Sequence, residues 1–169
     1  MNFTKLLPPL FIGSFLVTPS LATGFQRPFT WGDYGDRSAL VMYMSGNSDV
    51  SKIFIANINH SASGHQRLYF SDYYVETSDT CSFKTTVPSR STMTFNGQAV
   101  KMLRWCKKFT DTNQYYFELT PATERGDDYV IKLFKKATSP VEIQYDNETL
   151  YFPVIGFTKA WNSAGGDAI

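Results

Sequence analysis

The chain has 169 residues, with 16 Lys and Arg against 15 Asp and Glu, and 16% of it is aromatic. That length suits one domain of ordinary size. Near-neutral charge argues against a dedicated nucleic-acid binder, whose affinity rests on a basic excess.

Lys5 precedes an apolar run, Leu6 to Val17, and Ser20-Leu21-Ala22 then puts small residues where a signal peptidase cuts. A membrane anchor is the competing reading. The run is shorter than the roughly 20 apolar residues a spanning helix needs, and Pro8-Pro9 would break its first turns. Cleavage after Ala22 is expected, giving a signal peptide over 1–22 and a single exported domain over 23–169. Without its first 22 residues the chain keeps 147. The leader holds one Lys and no acid, so 15 basic residues then face 15 acidic ones. No later stretch is long and apolar enough to span a bilayer, and no membrane span is expected after cleavage. Export predicts an oxidising compartment, periplasmic or extracellular, in which Cys81 and Cys106 pair as a disulfide. Chain entropy values such a loop at about 3.5 kcal/mol. Two free thiols are the alternative. A metal site is disfavoured, because there is no Cys-x-x-Cys and the histidines are distant from both cysteines.

Residues 23 to 37, rich in Gly, Pro and aromatics, read as an irregular lead-in. Ala39 to Met44 is a short apolar strand, and Gly46-Asn47-Ser48-Asp49 a turn. Lys52 to Ile58 is apolar on both faces, as a central strand would be. Asn59 to His65 is a polar loop. Arg67 to Val75 sets Tyr69, Ser71, Tyr73 and Val75 on one face, and a further strand is expected over 82–87. Asn96-Gly97 then closes a hairpin, since that pair suits a two-residue turn needing positive φ twice. Tyr115, Phe117 and Leu119 point inward on the next strand, with Tyr116 and Glu118 outward. Residues 123 to 137 read as a helix, with Thr123 as its cap, acids at its start, lysines at its end and one apolar stripe. Val141 to Tyr145 and Leu150 to Ile155 make a second hairpin around Asp146-Asn147-Glu148. Gly156 to Trp161 suits a short helix, and residues 163–169 a loose tail. The expected fold is mainly β: a curled antiparallel sheet, small sandwich or barrel, with one covering helix near 123–137.

The C-terminal part carries a further pattern. A helix ends in Phe134-Lys135-Lys136-Ala137, and the strand Val141-Glu142-Ile143-Gln144-Tyr145 follows. Then comes Phe152-Pro153-Val154-Ile155-Gly156-Phe157-Thr158-Lys159-Ala160. This resembles the C-terminal pattern of the invasion-associated locus B family, small exported β-rich proteins of Gram-negative bacteria. The resemblance implies a periplasmic or surface protein that is not an enzyme, and it transfers no functional residue.

Catalytic groupings are sparse. His60 and His65, beside Ser61 and Ser63, have no G-x-S-x-G around them and read as solvated loop residues. Asn59-His60-Ser61 and Asn147-Glu148-Thr149 match the glycosylation sequon, which carries little weight in a bacterial-looking chain. Glu124, Asp127 and Asp128 are accounted for by a helix start. No cofactor motif is present. The segment 82–109 stands out, with Lys84, Arg90, Lys101, Arg104, Lys107 and Lys108, no acid, and Trp105 interleaved. Segregated charge attracts anions, and Arg and Trp anchor interfaces. Alternation nevertheless divides the patch, with Lys101, Leu103 and Trp105 on one face and Val100, Met102 and Arg104 on the other. The expectation is a non-catalytic envelope protein. Its partner would be a protein or an anionic envelope component, bound through the basic disulfide-stapled hairpin. Two other readings stay open. One is a cell-wall or glycan-acting hydrolase using carboxylates such as Asp72, Glu76 or Asp79. The other is an inhibitor that plugs a foreign hydrolase with the loop 59–67.

Overall fold

The structure, a computed structural model of the chain, describes residues 25–44, 49–74, 81, 87–110 and 112–168. The expected signal peptide, all but Asp49 of the turn expected over 46–49 and all but Val87 of the strand expected over 82–87 lie outside them.

Alternating apolar residues along nine segments form one antiparallel sheet. These are β1 (Phe25–Phe29), β2 (Ser38–Met44), β3 (Val50–His60), β4 (Gln66–Tyr74), β5 (Ser89–Phe95), β6 (Gln98–Lys108), β7 (Tyr115–Pro121), β8 (Val141–Tyr145) and β9 (Glu148–Phe152). Their order is β1-β2-β3-β4-β7-β6-β5-β8-β9, and the sheet curls until β9 meets β1 and β2. The result is a nearly closed barrel, as the expected curled antiparallel sheet allowed. No ladder joins β1 to β9. The side chain of Gln26 spans the seam instead, donating to the carbonyl of Thr149 and accepting from the amide of Tyr151.

Two helices lie outside the sheet, α1 (Glu124–Lys136) and α2 (Phe157–Ser163). Thr123 caps α1, its hydroxyl accepting from the Gly126 amide. The helix buries Val130 and Phe134 against the barrel core. Phe134 meets Trp31, Phe70 and Phe157, with ring centroids 5.1–6.3 Å apart. Burying one such phenylalanine is worth about 3–5 kcal/mol against alanine. Among the described residues no helix is long and apolar enough to cross a membrane.

Three local features depart from the sequence reading. The lead-in contains β1, whose Pro28 has no N–H to give a ladder and fits an edge strand. The second hairpin turns on two residues, because Asp146 and Asn147 both adopt positive φ, 46° and 65°, so β9 begins at Glu148. The tail is not loose. Asp167 binds the Gln66 amide (2.7 Å) and His65, Gly166 donates to the Gln66 side chain, and the Ala168 amide donates to Gly64. These bonds clasp the C-terminus to the β3–β4 turn.

Candidate functional site

The inner and outer faces of the barrel differ in character. Inward positions on β3 and β4 include Phe54, Ala56, Ile58, Leu68 and Phe70, all in the core. Past Phe54 and Phe70 the interior turns polar. Lys52 lies between Asp72 (3.4 Å) and Glu148 (3.1 Å), and each of Lys52 and Asp72 is only 3% exposed. Burial outweighs Lys52 and pushes the Asp72 carboxyl up to about 6. Asp72, one of the carboxylates considered for hydrolysis, therefore sits inside the barrel. Glu76 and Asp79 lie outside the described residues.

The outer face across β3, β4, β7 and β6 carries a surface groove of about 850 Å³. Its shape follows from strand register. Ile55, Ser71, Glu118 and Trp105 stand side by side across the four strands. On one side of that row lie Asn57 beside Tyr69, and Thr120 beside Leu103. On the other lie Ile53 beside Tyr73, and Tyr116 beside Lys107. Ser71 and Thr120 are small, and although they face outward they are 2% and 0% exposed. Ser71 lies in the groove with large side chains around it, and that contrast makes the hollow.

Rings and polar groups share the lining. Tyr73, Phe109 and Tyr116 pack on one another with centroids 4.6–5.0 Å apart. Tyr69 and Trp105 line the same groove. Burial raises the phenol pKa of Tyr69 and of Tyr73 and lifts that of Tyr116 to about 12. Phenols are protonated at neutral pH, and burial keeps these three so. Asn57 is held by the Ser38 hydroxyl (2.6 Å), and Asn59, Ser61 and Ser63 extend the polar end. The lysine and the arginine that line the groove are each paired within the protein. Lys107 lies 3.4 Å from Glu118, and Arg67 binds Asp127 and the Pro121 carbonyl. Burial raises the Asp127 carboxyl above its ordinary value, against the pull of Arg67.

The basic hairpin is present, and its Asn96-Gly97 turn has φ of 46° and 83°. Its charges do not gather on one surface. Trp105 and Lys107 form a wall of the groove. Arg90 and Lys101 border a separate shallow hollow, and Lys108 lies by Thr110 and Asn113. Arg104 points to the inner face, 4.5 Å over the Phe117 ring, with its Nε on the Ser89 hydroxyl (3.2 Å). Lys84 lies outside the described residues. Cys81 and Cys106 form the expected disulfide, with Cα atoms 5.7 Å apart. It ties the β4–β5 connection to β6 beside the groove.

Of the histidine loop, His60 lines the groove but its Nε2 is on the Gly166 carbonyl (2.7 Å), and His65 Nδ1 is on Asp167 (3.1 Å). Ser61 and Ser63 bond to each other, so no histidine is aimed at either hydroxyl. Glu124, Asp127 and Asp128 open α1, where Asp127 meets Arg67 and Asp128 meets Lys132. Among the described residues no group of three or more His, Cys, Asp or Glu is placed to hold a metal ion. The groove itself escaped the sequence reading. The face Tyr69-Ser71-Tyr73 was visible, but its pairing with β7 joins segments far apart in the chain. Comparison of the chain with protein-family models, curated proteins and solved structures finds no match.

Proposed function

We propose that this chain is a non-catalytic exported envelope protein that captures another macromolecule in the outer groove, with β6 of the basic hairpin as one wall. The observation that carries this reading is the groove itself: about 850 Å³, aromatic and hydrogen-bonding at once, and built mostly on the strands of the sheet. Such a volume falls in the range of sites that hold a ligand of several rings. Glu118 is the one carboxylate among the described lining residues, and it is engaged by Lys107. Glycoside hydrolysis uses two carboxyl groups facing each other across a cleft, and Asp72 lies on the opposite side of the sheet. That favours capture over cleavage.

The test is site-specific photo-crosslinking in the native envelope. A crosslinker at Asn59 or Tyr69 is expected to give a discrete adduct, and one at Gln144 on β8 is expected to give none. A second arm compares Trp105→Ala with the triple change Arg90→Glu, Lys101→Glu and Lys108→Glu. Trp105→Ala should weaken capture about tenfold or more, and the charge reversals should leave it within about twofold. Capture lost by the charge reversals and kept by Trp105→Ala would return the interface to the basic hairpin.

A further inference from the structure

The groove also constrains what it can hold, and this step rests on the reading of it as a capture site. Four of its properties bear on the ligand.

First, its charges are satisfied from within. Lys107 is paired with Glu118, and Arg67 with Asp127. An anion entering here would have to compete with a carboxylate for each cation, and a cation would face the reverse. Charge complementarity therefore selects an uncharged occupant.

Second, the lining alternates apolar bodies with polar tips. Tyr69, Tyr73, Trp105 and Tyr116 offer ring surface and, at their ends, hydrogen-bond donors. Asn57, Asn59, Ser61 and Ser63 add amide and hydroxyl groups at one end. A sugar ring has the matching character, C–H groups on its faces and hydroxyls around its rim.

Third, the groove runs over the middle of the sheet. β3, β4, β7 and β6 are each paired on both sides. No free strand edge is available, so a peptide cannot add as a further strand, which is a common way for a sheet to bind an extended chain.

Fourth, the groove is long. Tyr69 and Tyr73 lie four residues apart on one face of β4, about 13 Å at the usual rise. That is enough for consecutive rings of a linear chain rather than a single small molecule.

We infer that the groove binds an uncharged, linear glycan chain, laid along β4 and over β7 and β6 with its sugar rings against Tyr69, Trp105 and the Tyr73–Tyr116 pair. Hydroxyls along its rim meet Asn57, Asn59 and Glu118. Single-stranded nucleic acid also uses aromatic platforms, but on a positively charged track. The paired cations here do not supply one.

Isothermal titration calorimetry of the protein tests this. The probes are three uncharged linear oligosaccharides (a β-linked glucan, a chitin fragment and a starch fragment), a polyuronate fragment, oligo-dT and a proline-rich peptide. At least one uncharged oligosaccharide should bind. Its Kd should change less than about twofold between roughly 50 and 500 mM salt, because no counterions are released. Trp105→Ala should weaken it about tenfold or more, and Trp105→Phe, which keeps a ring, should restore most of the loss. The thermal midpoint of each variant, measured alongside, separates lost binding from lost folding. Binding of none of the three sugars overturns the inference, as does preference for the polyuronate, oligo-dT or the peptide. If the sugars fail while Trp105→Ala still abolishes crosslinked capture in the envelope, the glycan assignment falls and the groove remains a capture site. If capture is also indifferent to Trp105, both fall.

Discussion

Asp72 shows how one side chain's direction decides its chemistry. Tyr69, Ser71 and Tyr73 share a face of β4, so Asp72 must share the other with Leu68 and Phe70. The strand period alone removes it from any surface cleft. Inside, burial holds its carboxyl near 6, with Lys52 pulling down and Glu148 and Asp146 pushing up. The folded state thus binds this proton more tightly than the unfolded chain, whose value is 3.8. The stability it contributes is fully present below about pH 4 and is lost as pH rises through about 6. Asp127 acts in the same direction, while Asp33 and Asp167 are lowered by hydrogen bonds and act in the opposite one. Urea unfolding of the protein and of Asp72→Asn between pH 4 and 7 should therefore differ in slope. The wild-type curve should lose on the order of 2 kcal/mol more than the variant across that interval. Parallel curves would show that Asp72 titrates as an ordinary carboxylate. Gly156 is the second telling residue, with φ of 86° and a position where a Cβ would lie 2.6 Å from the Trp31 carbonyl. Its place in the Phe152 to Ala160 pattern is therefore a packing requirement.

Elements with local signals were legible from the sequence. Asn96-Gly97 dictates its own turn, and Thr123, the early acids and the late lysines mark α1 at both ends. Elements whose reason is distant were not. β1 is short and carries a proline, and only β2 alongside makes it a strand. The groove needs Ser71 and Glu118 to be neighbours, a pairing between segments more than forty residues apart that no local pattern announces. The C-terminal tail looked loose because Gly165 and Gly166 have no side chains to read. Its anchors are backbone groups and one carboxylate, Asp167. Asp167→Ala should free the tail from the β3–β4 turn, and hydrogen exchange at the amides of Gln66 and Ala168 should accelerate about tenfold or more. Exchange unchanged at Gln66 would mean that the clasp does not depend on this residue. The turn it steadies carries Ser61 and Ser63, so the tail braces the polar end of the groove.

At the scale of the whole molecule, the barrel is held by unlike devices. Helices and rings fill one end, a lysine between two carboxylates occupies the interior toward the other, and a disulfide ties the β4–β5 connection to β6. Across the seam between β1 and β9 the side chain of Gln26 makes two hydrogen bonds, and just beyond the strands Trp31 donates to the carbonyls of Ile155 and Pro153. Gln26→Ala should cost about 1 kcal/mol, since two hydrogen bonds at a partly exposed seam are exchanged for water. Amide exchange at Tyr151 should rise well above that of β3. Equal protection at both sites would show that the seam closes without Gln26. The seam also bears on how copies of the protein meet. Among the described strands every other one is flanked on both sides, so β1 and β9 are the edges whose unpaired backbone could recruit a foreign chain. Facing each other across Gln26, they shield one another. Parted, they would present two complementary edges, and the outcome would be strand exchange between copies or growth of a ribbon. Closing this seam therefore keeps two edges from foreign strands as well as fastening the fold.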